Sequence, residues 1–169
     1  MLADAPQFLI ALEQSGLGAA IRSSPWAYPA ANVGHIVALT LLAASVAIMD
    51  LRMLGAFAAT APARVVFPAR RMAIVGLALM ALTGFLLFAA EASHVAMNGV
   101  FQIKMVLIAL GILNAILIAG PALANIADLP AHASLPSRAR MAAVISLLIW
   151  TSVAASGRLD AKLTGKEHD

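Results

Sequence analysis

Residues 72–90 read MAIVGLALMALTGFLLFAA, bounded by Arg71 on one side and Glu91 on the other. A helix needs about 20 mainly apolar residues to cross the hydrocarbon core of a bilayer. An open strand of this composition would leave unpaired backbone groups in lipid at several kcal/mol each. The stretch therefore reads as a membrane-crossing helix. Working outward, three more runs have the same character. One is NVGHIVALTLLAASVAIM at Asn32–Met49, which extends into Asp50 and Arg52 if those side chains snorkel. Another is Met105–Ala127, and the last is Met141–Gly157, which is shorter and carries Ser146, Thr151, Ser152 and Ser156.

Composition agrees with this reading. Of 169 residues, 62% are hydrophobic and only 11% charged, whereas soluble domains carry roughly 25% charged residues. That charge cannot wet the surface of a soluble globule of this size. The expected fold is all-α: a single domain over 1–169, an integral membrane four-helix bundle running up-down-up-down. Its spans lie at about 30–52, 70–94, 103–126 and 139–157. The net charge of +3 comes from Arg and Lys scattered along the chain, which suits a membrane protein with basic loops and implies no nucleic acid. With no Cys, disulfides, thiolate zinc sites, iron–sulfur clusters, covalent haem attachment and cysteine nucleophiles all drop out.

Residues 1–25 form a leader of a different kind. It lacks the basic start of a signal peptide. Asp4 with Pro6 marks a helix start and Gly16 a stop. Phe8, Leu9, Ile10 and Leu12 oppose Gln7, Glu13 and Gln14, as in a short amphipathic helix lying on the membrane surface. Trp26 and Tyr28 then stand where an aromatic belt belongs. Arg52, Arg64, Arg70 and Arg71 crowd the loop after span one, and Arg138 with Arg140 the loop after span three. The loop after span two holds only Lys104. The positive-inside rule then places both termini outside, in the periplasm of a bacterial inner membrane, although Arg158, Lys162 and Lys166 in the tail pull the other way.

Ionisable residues inside spans are costly and are functional candidates by default. His35 sits near the outer end of span one. Glu91 and His94 close span two on one helix face. Lys104 opens span three, where Gly111 and Asn114 continue its face. In the expected topology His35, Glu91, His94 and Lys104 converge on one leaflet. Asp50 and Arg52 read as a structural pair, with His132 and His168 solvated. Neutral imidazole ligates haem iron, and helical bundles are frequent haem scaffolds. His35 and His94 could clamp one haem, with Lys104 or Arg22 meeting a propionate. Depth strains that arrangement, since His35 lies about 22 Å above Asp50 and His94 about 35 Å above Arg71 along helix axes. The same histidines with Met97 would also suit copper. No phosphate loop, nucleotide fingerprint or nucleophile–base pair is present.

The order of these features, His35 in YPAANVGH, then DLRMLG, PARRMAIVGLALMALTGFLL and FQIKMVLIALGILNAIL with Lys104, resembles copper resistance protein D-like membrane proteins and uncharacterised bacterial four-helix families. More distantly it is similar to the membrane-bound bacterial protoporphyrinogen oxidase. The resemblance covers about residues 26–125. The oxidase relatives imply haem b held by a histidine early in the first span and a lysine opening a later one, positions that His35 and Lys104 match. The copper resistance relatives imply copper uptake, but this chain lacks their additional spans and Met- and His-rich features. The expectation is a haem b-binding membrane protein with a redox role. Copper binding, or a non-catalytic accessory subunit, is the alternative. Expected partners are the lipid bilayer, a redox partner or membrane-complex subunits, and further copies of the chain. Close packing by Gly34, Ala38, Gly76, Gly84, Gly111 and Ala115 suits either one bundle or several.

Overall fold

A computed structural model describes residues 5–124 and 126–164, with side chains through Ser156. Asp4, His168 and the basic side chains of the tail lie outside the described residues. The described residues are all-helical, with two short leader helices and four long apolar helices able to span a membrane. The leader holds α1 (Gln7–Glu13) and α2 (Gly16–Ser23). Then come α3 (Ala27–Met53), α4 (Pro62–Ala90), the short α5 (Ala92–Met97) and α6 (Gly99–Asn114). A π-helical turn (Ala115–Ala119) and α7 (Gly120–Ala122) extend α6, and α8 (Ser137–Thr164) is the last described helix.

The boundaries have local causes. Pro62 opens α4, where its missing N–H is no loss, so this helix starts well before Arg70. It stops at Ala90 because Glu91 leaves helical backbone, at φ −140° and ψ 35°. His94 therefore belongs to α5, not to the second span. The leader forms two helices where one was expected. Ser15 accepts from the Gly18 N–H and starts α2, so Gly16 begins a helix instead of ending one.

The described chain divides into two compact units, Met1–Leu42 with Ile74–Gln102 and Ala43–Ala73 with Ile103–Asp169. In the first, α3 and α4 approach at backbone distance. A Cβ on Gly76 would stand 2.9 Å from the Leu42 nitrogen, and one on Gly34 3.3 Å from Thr83 Cγ2. Ala38 and Leu42 are buried along this seam. Small residues at such spacing let membrane helices gain dispersion contact where no hydrophobic drive exists between them. Phe88 and Phe101 stack at 5.7 Å in the same unit.

The second unit has its own core of Met49, Met53, Val66, Ala69, Ala119, Leu123, Ile126 and the Ala139–Ala142–Ala143 face of α8. Its loops are tied by the His132 N–H donating to the Ala58 carbonyl at 2.7 Å, while the His132 side chain is exposed. Outward residues such as Ile36, Val37, Ile74, Leu82, Val106, Ile116 and Leu148 are apolar and exposed, the surface that lipid wets.

Candidate functional site

His35 is half-buried on α3, and its ring is held by α4. Nδ1 lies 2.9 Å from Thr83 Oγ1. The Thr83 hydroxyl already donates to the Leu79 carbonyl at 2.7 Å. Oγ1 is therefore the acceptor and His35 Nδ1–H the donor, which puts the lone pair of the neutral ring on Nε2. Gly84 makes room for the ring, because a Cβ there would meet His35 Cε1 at 3.1 Å. Ligating histidines characteristically give their second nitrogen's proton to a neighbouring acceptor, which fixes tautomer and ring plane. His35 thus has the chemistry of a side chain that could hold a metal centre through its second nitrogen.

The other candidates have their own surroundings. Thr83 lies two helical turns, about 10 Å, before the end of α4. His94 lies beyond that end, exposed on α5 and near the Glu13 carboxylate. Glu91 is exposed and faces the Tyr28 hydroxyl. A clamp on one haem needs both rings on one axis, and His35 and His94 are held at different levels of their unit. Met97 is exposed on α5. Lys104 is half-buried near the start of α6 and belongs to the second unit. Among the described residues, no three His, Cys, Asp or Glu group together as metal ligands would.

The leader does more than cover a surface. Glu13 accepts from both the N–H and the hydroxyl of Ser93, the former at 2.9 Å, and so caps α5 from outside. The Ser93 hydroxyl bond, then the Ser93 N–H bond, hold the Glu13 carboxyl below its usual range; burial opposes them, and Arg22 and His94 assist. Arg22 Nη1 donates to the Ala90 carbonyl at 2.7 Å, capping the last turn of α4. A Cβ on Gly18 would fall 2.7 Å from the Ala89 carbonyl oxygen, so only glycine lets α2 approach this closely. Leu9 and Ile21 are buried, while Phe8 stays exposed.

In the second unit Asp50 and Arg52 are almost fully buried. They do not form the expected pair. Arg52 donates to the Thr60 carbonyl at 3.1 Å, and the Asp50 carboxylate lies beside Ser146. Neither Asp50 oxygen has a hydrogen-bond partner of good geometry.

Sequence reasoning overlooked Thr83, Ser93 and the capping use of Glu13. A lone threonine in an apolar span was the available signal for the first. The other two depend on leader docking, which no periodicity encodes. No curated protein and no solved structure matches the chain. Residues 14–161 match the family of unknown function DUF6644, and the chain belongs to that family.

Proposed function

We propose that this is a small haem b-binding protein of a bacterial inner membrane with an electron-transfer role, in which His35 would hold the haem. The observation carrying this reading is the His35–Thr83 bond, with the Thr83 proton committed to Leu79. It fixes the tautomer and plane of an imidazole inside an apolar span, the side chain that haem iron takes in helical scaffolds. Bound haem b would supply one-electron chemistry. The resemblance to the protoporphyrinogen oxidase family supports the same residue. The basic loops support periplasmic termini. Copper has less support, because the described residues lack a cluster of suitable ligands.

An accessory-subunit reading is favoured by one fact: the His35–Thr83 bond joins α3 to α4 and would serve equally as a structural clip. An absorption spectrum of the detergent-purified protein separates the two. A Soret band with extractable haem b is expected. His35→Ala should abolish it or shift the ferric spectrum to high spin, and His94→Ala should leave it nearly unchanged. A comparable loss in both variants would mean two histidine ligands. A colourless wild-type protein purified from haem-replete cells would overturn the proposal.

A further inference from the structure

Asp50 carries no role in the site above, yet it is the most confined carboxylate described, with no exposed surface. It lies in the last turn of α3, where the negative end of the helix dipole disfavours an anion. Both its oxygens lack a hydrogen-bond partner. A second buried acceptor is orphaned in the same unit. Asn114 Nδ2 donates to the Ala142 carbonyl at 2.9 Å. A carbonyl can only accept, so the amide orientation is settled and Oδ1 is the group without a partner. Ala142 and Ser146 are one turn apart on α8, so Asn114 and Asp50 address the same turn. The backbone changes register there, since the π-helical turn begins immediately after Asn114. Such bulges recur at functional sites.

These groups are acceptors short of a hydrogen. Arg52 does not supply it: its Nη2 is directed to Thr60, and its buried Nε–H is bonded to neither Asp50 oxygen. It is the one other buried charged side chain among the described residues. Arg70 and Arg71 on α4, and Arg138 and Arg140 at the start of α8, are all exposed. Hard metal cations take six or more oxygens. The three side chains offer two from Asp50, one from Asn114 and one from Ser146.

We propose that Asp50, with Asn114 and Ser146 around it, is a proton-binding site. The carboxyl holds one proton, with Ser146 beside it and Asn114 on the same turn of α8, and releases it to water as carboxylate plus H⁺. The Leu54–Ala61 connection begins one turn away and offers the exit. Intramembrane carboxylates that load and unload protons are the working parts of proton relays.

Infrared spectroscopy of the full chain in liposomes tests this. At neutral pH a protonated-carboxyl C=O band should be present, shift in D₂O, fade as pH rises and be absent in Asp50→Asn. The carboxamide keeps a donor, so that variant should melt within a few degrees of wild type. Asn114→Leu should move the band of the intact Asp50 by removing a polar side chain from the same turn of α8, a readout that does not depend on Asp50→Asn folding. Lack of an Asp50-dependent band at any pH would overturn the proposal and leave Asp50 ionised against Arg52. Loss of the band on adding sodium at fixed pH would also overturn it, in favour of a metal-cation site.

Discussion

The two units treat polar groups inside an apolar chain in opposite ways. In the first, His35, Glu13 and Arg22 each have a partner on another segment: Thr83, Ser93 and the Ala90 carbonyl. In the second, Asp50, Arg52 Nε and Asn114 Oδ1 are buried without one. An unsatisfied buried polar group costs roughly 1–3 kcal/mol, more if charged. A fold that satisfies such groups in one unit and leaves several open in the other is using them differently. In the first they position helix ends and a ring. In the second they include the carboxylate of the proton-binding site proposed above.

That contrast can be broken most forcefully at the α3–α4 seam, where the first unit's pairings depend on close approach. Gly76→Val would drive its side chain into Leu42 backbone atoms 2.9 and 3.0 Å from the Cβ position. Backbone cannot yield as a flexible side chain does, so the cost should be at the upper end of overpacking, about 3 kcal/mol. A clear fall in melting temperature in detergent is expected. A variant melting with wild type would remove the seam, and with it the geometry that seats His35.

The polar contrast itself is sharpened by two near-isosteric changes. Thr83→Val takes away the acceptor of His35 Nδ1–H and should cost roughly 1–2 kcal/mol, with weaker haem retention if the proposed ligation holds. Asp50→Asn, a similar change of shape in the second unit, should cost little, because the carboxamide replaces a neutral, proton-bearing carboxyl that has no partner to lose. Thermal melts of the two variants side by side check this. Equal destabilisation would mean that Asp50 is as fully engaged as His35, and the distinction between the units would fail.

How much of this was legible in the chain follows from the range of the forces involved. The four spans depend on uncharged length, a local property, and their apolar runs show it directly. His35 was legible because an ionisable group in lipid is conspicuous wherever it pairs. Its partner was not, because the Thr83 hydroxyl looks the same whether it bonds only its own helix or also a neighbour. Asp50 and Arg52 misled for the reverse reason. Opposite charges two residues apart suggest a pair, but on a helix they point to different sides. The break at Glu91 was hidden as well, since nothing in LLFAAEASH forbids a continuous helix. It is stabilised from a distance, by Arg22 on one side of it and Glu13 on the other.

The smallest expected effect concerns that distant capping, and it has a direction in pH. Glu13 is held below its usual carboxylate range chiefly by the Ser93 hydroxyl and N–H. A carboxyl whose value is lowered on folding contributes stability above its ordinary range and loses it as pH falls through the lowered value. The leader should therefore stay docked on α5 at neutral pH and loosen only in acid. The contribution is about 1 kcal/mol or less, since Glu13 is partly exposed and solvent screens it. Limited proteolysis of α1 and α2 across an acid series should show cleavage rising toward low pH. In Glu13→Gln, cleavage should already be raised at neutral pH and change little on acidification, because the amide keeps an acceptor but cannot titrate. If wild type and variant show the same acid dependence, another group releases the leader. In that case the well-paired character of the first unit would not extend to its edge.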